Sequence, residues 1–256
     1  MNFNETLNAA RLGTTHLFSV GQAGFILKSQ KGETLGIDLY LSECVEQVEG
    51  HDGYHRLMPK IVSPKDLELD VVIATHFHRD HFDIDAMQDI MSNGKTRLFC
   101  AYDCKEDVRK LGLDEKRVTY VKPHDQYQVG DFDIRFINSD HGDGAPLEVG
   151  VIVTVDGKHV LEVGDTSLHL DWKDEYLSAG QIDVLIAPIN GAYGNLNEQE
   201  QVTLTSELHP KLTVPCHFGM FASHGGNAGL WRELVTEQLP KQKYKLFTMG
   251  EGIEIR

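Results

Sequence analysis

A chain of 256 residues that is 41% hydrophobic, 25% charged and 8% aromatic has an ordinary globular composition, and it is long enough to bury a core without disulfide staples. Its 24 Lys plus Arg against 39 Asp plus Glu leave a formal charge of −15, which argues against a broad nucleic-acid interface built on clustered cations and against adhesion to anionic lipid. Four cysteines do not make a disulfide framework, no run of about 18 apolar residues suggests a membrane span, and Met1-Asn2-Phe3-Asn4-Glu5 lacks the basic start of a signal peptide, so a cytoplasmic protein with one domain over residues 1–256 is expected.

In chain order, the first third reads as short strands with Gly turns, at 12–19, 23–28 and 34–39. Asp70-Val71-Val72-Ile73-Ala74 is a β-branched apolar run suited to a buried strand at 70–74. Residues 82–91 place Ile84, Met87, Ile90 and Met91 at helical spacing, and Asn93-Gly94 ends the helix. A strand at 96–101, a helix at 103–111 and a strand at 117–121 follow, with Cys100 and Cys104 read as a packing pair four residues apart on a helix. Strands at 127–129, 131–138, 148–155 and 158–163 come next, the last two joined at Asp156-Gly157. The final third alternates strands near 183–187, 211–215 and 244–248 with helices near 197–208 and 227–238. Antiparallel runs in both halves, interleaved with strand–helix alternation, predict an α/β protein: a four-layer sandwich of two mixed β-sheets flanked by helices.

Thirteen histidines are many for this length, and they cluster. The strand at 70–74 runs into Thr75-His76-Phe77-His78-Arg79-Asp80-His81. His76 and His78, two apart in an extended segment, project to one side, and Asp80 and His81 fall where the chain turns into the helix. Imidazole and carboxylate at the carboxyl end of a strand suit Zn²⁺, Mn²⁺ or Fe²⁺. Further candidates sit at other strand exits beside glycine: His141, Asp165 and His217. Singly, they read equally well as a loop residue, a helix cap and a core histidine.

With these residues in place, the chain resembles the metallo-β-lactamase-fold hydrolases, on THFHRDH (75–81), His141, GDT (164–166) and His217. That resemblance implies an αββα sandwich with a two-metal site at one edge of the sheets. It assigns His76, His78 and His141 to one divalent ion, and Asp80, His81 and His217 to the other, with Asp165 bridging. VGQAGF (20–25), IDLYLSE after Gly36, YHRLMPKIVSPKDLELDVVIATH (54–76), APING (187–191) and VPCHFGMF (214–221) resemble the L-ascorbate-6-phosphate lactonase branch.

Two such ions, Zn²⁺, Mn²⁺ or Fe²⁺, would share a hydroxide that attacks a small anionic lactone or ester. Asp80 is then both a ligand and the catalytic group that orients the nucleophile or takes its proton. Asp38, matching the superfamily's supporting Asp, is expected to fix a ligand histidine by hydrogen bond. Gln22, His55, Arg56, Asn190, Tyr193 and His224 are the candidate substrate contacts, with His55 and Arg56 as cations for a phosphate. Structural duties are expected for His16, His51, His124, His159, His169 and His209. The expected partner is a small molecule, without nucleic acid or membrane, and a homo-oligomer is compatible. Phosphodiester hydrolysis on the same fold and a non-catalytic metal scaffold or sensor are the alternatives. A redox diiron centre fits less well, because such relatives usually carry Glu where this chain has His78.

Overall fold

The computed structural model describes residues 3–256. Strands β1 (His16–Gly21), β2 (Gly24–Lys28), β3 (Thr34–Ile37), β4 (Val71–Ala74), β5 (Arg97–Ala101) and β6 (Val118–Val121) form one sheet, completed by β13 (Gly252–Glu254) beside β1. The second sheet contains β7 (Gln126–Val129), β8 (Phe132–Asn138), β9 (Val149–Val155), β10 (Lys158–Glu162), β11 (Val184–Pro188) and β12 (Leu212–Cys216). Each sheet is mixed. In the first, β13, β1, β2 and β3 pair antiparallel, whereas β3 through β6 are parallel. In the second, β7 through β10 pair antiparallel, whereas β10, β11 and β12 are parallel.

Alternation along the strands explains the layers. Val71 and Ile73 of β4 enter the core between the sheets with Phe136, Val151 and Ile186, while Val72 and Ala74 face an outer cluster. That outer cluster is roofed by α1 (Phe3–Ala9), α3 (Met87–Met91) and α4 (Lys105–Lys110). A strand covered on both sides can be apolar at every position, which is why 71–74 shows no polar alternation. On the far face of the second sheet, Leu161, Leu185 and Ala187 pack with α5 (Lys173–Tyr176) and α6 (Glu198–Leu208). Trp231 and Val235 of α7 (Ala228–Gln238) pack with Val202 of α6. The architecture is the expected αββα sandwich, and α2 (Cys44–Glu49) stands apart near one sheet edge.

The first strand, expected at 12–19, starts at His16 instead, and local expectations shift further in three places. Helix α3 is confined to Met87–Met91, because the Asp83 carboxylate captures the N–H groups of Leu41, Ser42, Asp85 and Ala86 and holds 82–86 as a turn. Cys100 lies on β5 and Cys104 in a 3-10 turn, so the two are a buried packing pair but not a helical one. The strand expected near 244–248 is reduced to a single bridge, Thr213 with Tyr244. The Glu251 carboxylate accepts from Thr248 N–H and turns the chain, and the closing strand forms at Gly252–Glu254 instead.

Candidate metal centre

The predicted donors gather at one edge, just beyond the carboxyl ends of several strands. Asp38 directly follows β3, residues 75–81 follow β4, His141 and Asp165 each lie three residues beyond β8 and β10, and His217 directly follows β12. The two sheets meet at this edge through the Val149 N–H, which donates to Thr75 O at 3.1 Å. Close approach is enforced by backbone geometry: Gln22, Asp38, Tyr193 and His217 all hold left-handed φ values of 47–60°. At Gly164 (φ 74°) a Cβ would stand 2.5 Å from Glu148 Oε1, so glycine is required there.

His76 Nε2, His78 Nδ1 and His141 Nε2 converge, with 2.9 Å from His76 to His78 and 3.2 Å from His141 to His78. Beside them, His217 Nε2 lies 2.9 Å from Asp165 Oδ2 and 3.3 Å from Asp80 Oδ2. His81 Nε2 is 3.4 Å from Asp165 Oδ2 and 3.7 Å from Asp80 Oδ2. Asp165 Oδ2 also lies 3.9 Å from His141 Nε2, between the two groups. All seven residues named from the sequence therefore meet in one place.

The donor set suits divalent cations. Burial pushes His78 down to about 4 and His76 well below its ordinary value, so both offer neutral imidazole at neutral pH. Burial opposes ionisation of Asp80 and Asp165, yet surrounding histidines outweigh it and hold both well below the usual carboxylate range. Remote ring nitrogens are anchored on oxygen: His81 Nδ1 lies 2.7 Å from Asp38 Oδ2, and His76 Nδ1 lies 3.0 Å from Thr75 Oγ1. Thr75 donates its hydroxyl to Asp38 Oδ2 at 2.7 Å, so Asp38 orients one histidine directly and a second through Thr75.

The substrate candidates separate. His224, buried, sets Nε2 3.7 Å from Asp80 Oδ2 and joins Asp80 and His217 as a third group that could hold an ion. Gln22 stands behind Asp80, donating Nε2–H to its Oδ2 at 2.8 Å. Tyr193 and His224 wall a cavity of about 250 Å³ whose floor includes His78, Asp80, His141 and Asp165. Asn190 is folded into its own loop, accepting from Asn195 and donating to Ala192 O. Arg56 is buried away from the cavity, donating to the carbonyls of Tyr40, Ser42 and Met58. His55 points outward to Glu46 at 2.8 Å.

One contributor is absent from the sequence reading. Glu148, with a fully buried side chain, accepts from Asp165 N–H and sets Oε1 3.5 Å from His76 Nδ1. Burial, and then the charge of Asp165, push its carboxyl well above the usual range. An acid heading the apolar strand Val149–Val155 was the available signal.

A family model described as "Beta-lactamase superfamily domain" matches residues 16–217, most of the chain and every one of the seven donors. The chain belongs to that superfamily. Among its superfamily relatives, the "UPF0173 metal-dependent hydrolase" of Anaeromyxobacter dehalogenans (strain 2CP-C) is 26% identical over 232 residues, covering 85% of this chain and 79% of the relative. The fold is similar to Igni18, a metallo hydrolase from Ignicoccus hospitalis, with a TM-score of 0.75, 20% identity and coverage of 95% of this chain and 99% of that one. It is also similar to the isothiocyanate hydrolase from Delia radicum gut bacteria, with a TM-score of 0.75, 19% identity and coverage of 93% and 98%. This superfamily member has, among its described residues, no helix long and apolar enough to cross a membrane.

Proposed function

We propose that this protein is a metal-dependent hydrolase that opens a small lactone or ester, using two divalent ions, Zn²⁺, Mn²⁺ or Fe²⁺. The observation that carries the reading is the convergence of seven nitrogen- and oxygen-bearing side chains, four of which (His78, Asp80, His141 and Asp165) line the floor of one cavity. His76, His78 and His141 would hold one ion; Asp80, His81 and His217 the other, with Asp165 between them. When bound, the ions supply Lewis acidity, polarising a carbonyl oxygen and lowering the pKa of water.

Asp80 faces the cavity with its Oδ2 fixed by Gln22, a placement suited to orienting the attacking water and accepting its proton. In the overall reaction, the water oxygen bonds to the acyl carbon, the acyl C–O bond breaks and the leaving oxygen takes a proton. The resulting carboxylic acid ionises and releases one proton at neutral pH. The relatives' printed name, metal-dependent hydrolase, supports the reaction class, and the charge of −15 disfavours polyanionic substrates.

Metal-stripped protein reloaded with Zn²⁺, Mn²⁺ or Fe²⁺ should release protons from sugar lactones or simple esters in proportion to bound metal. Turnover confined to phosphodiesters, or absent from fully loaded protein across the panel, would overturn the reading.

A further inference from the structure

The walls of the cavity above the donor cluster are apolar and aromatic. Helix α2 presents Val45 and Val48, Phe77 lies between two donor histidines, and Tyr54 and Tyr193 approach from loops 139 residues apart. The two tyrosine hydroxyls stand 3.1 Å from each other, and the His224 ring packs against both, with centroids 6.1 and 5.2 Å away. At the cavity mouth Val48 is 52% exposed and Tyr193 53% exposed, so apolar surface remains there for a ligand to cover.

Among the described residues, no unpaired Lys or Arg stands on the same walls. Arg79 is the lining cation, and its guanidinium is committed: Nη1 and Nη2 donate to Asp107 at 2.6 and 3.3 Å, and Nη1 also reaches Phe77 O at 3.2 Å. Arg56 donates through Nε and Nη1 to three backbone carbonyls and is buried away from the cavity, and His55 faces Glu46. The other charged wall residue is Glu49. With the ions on the floor engaged by the acyl group, a phosphate against this wall would shed water without gaining a cation from the protein, whereas an apolar group would release water from Val48, Tyr54 and Tyr193.

We infer that the site takes an uncharged acyl compound whose substituent is small and apolar or aromatic, seated between the Tyr54–Tyr193 pair and the valines of α2. This rests on the hydrolase reading above, and it replaces the anionic substrate expected from the sequence.

Two matched non-hydrolysable lactams test it, one bearing a phenyl group and one a phosphomethyl group. Their binding to metal-loaded protein is measured by calorimetry, with turnover of the corresponding lactones followed alongside. The phenyl lactam should bind on the order of tenfold more tightly. Val48→Asp should remove most of that advantage, and Val48→Lys should draw the phosphorylated lactam in; the exposed position leaves the core intact for both. Tighter or equal binding of the phosphorylated lactam, or binding of neither, overturns the inference. Tight binding of the phenyl lactam with no turnover of either lactone would support the ligand class and overturn the hydrolase reading alone.

Discussion

Replacing Asp38 by Asn changes almost no volume but inverts the hydrogen bonding behind two donor histidines. Asp38 is fully buried and accepts from Thr75 N–H at 2.8 Å, from the Thr75 hydroxyl at 2.7 Å and from His81 Nδ1 at 2.7 Å. An Asn amide oriented to keep the Thr75 N–H bond turns its NH₂ toward His81 Nδ1. His81 must then accept at Nδ1 and carry its proton on Nε2, the atom that faces Asp165 and His217. The opposite orientation sets two N–H donors against each other at Thr75. Either way a buried donor or a ligand lone pair is lost, worth about 1–3 kcal/mol. Loss of such an outer partner typically weakens metal binding by about 10–100-fold, or about 1.4–2.7 kcal/mol, so the two routes agree in size.

One term works in the other direction. Burial first, and then the charge of Asp38, raise the Glu162 carboxyl well above its ordinary range, so Asn at position 38 removes one of the causes that hold the proton on Glu162 and eases its ionisation in the metal-free protein. The expected outcome is therefore a modest fall in the metal-free melting temperature, at about 2–4 °C per kcal/mol for a chain of this size, together with a clear loss of metal affinity. Chelator competition and thermal unfolding of metal-free Asp38→Asn measure the two separately. Affinity within about twofold of the parent for both ions would refute the orienting role, since that is far less than the loss of such a partner should cause.

His141→Ala and His217→Ala should each retain about one of two metal equivalents by elemental analysis, because the two imidazoles belong to different groups of donors; full metal in both variants would remove the assignment. Asp165→Asn should weaken both sites and abolish hydrolysis, since its Oδ2 stands within 3.9 Å of His81, His141 and His217; near-normal turnover would reduce Asp165 to a structural residue. Although burial opposes it, the charge of Asp165 and contacts to Asp165 and Asp80 raise His217 to about 9 in the metal-free protein. That imidazolium must lose its proton to become a ligand, and His81 beside it, despite its burial, is also raised well above its ordinary range by Asp165, Asp38 and Asp80. Apparent metal affinity should therefore climb by at least about tenfold per pH unit between neutrality and about 9. Calorimetry in buffers of different ionisation enthalpy reads the released proton directly, and a pH-independent affinity would contradict the assignment.

Much of this molecule is written in local pattern. The β-branched run at 71–74 and the apolar strands around 149–163 are short, nearly continuous apolar runs, a signal confined to neighbours in the chain, so they locate the sheets without reference to distant segments. His76, His78, Asp80 and His81 sit within six residues at one strand exit, and His141, Asp165 and His217 repeat that position at other exits. Parallel strands share a carboxyl edge, so the donors of each sheet are carried to a common side once the strands pair. Asp38 follows the strand beside β4, and its supporting role was legible through the superfamily resemblance.

Other features depend on which segments stack across the sandwich. Arg56 looks in sequence like a cation available to a phosphate, but its partners are carbonyls of Tyr40, Ser42 and Met58, and only the folded loops bring three of them around one guanidinium. Glu148 reaches His76 from the opposite sheet, and Tyr54 meets Tyr193 across 139 residues of chain. Tyr244 to Thr248 has the composition of a strand and forms only one bridge, because the Glu251 carboxylate captures the Thr248 N–H and turns the chain toward β1. Hydrogen-bond and ion-pair partners are chosen by proximity in space, and proximity between segments of different sheets has no period along the chain. The seven donors of the candidate metal centre could therefore be named from sequence, while Glu148 and the charge and polarity of the cavity above it emerged only when the two sheets and their loops came together.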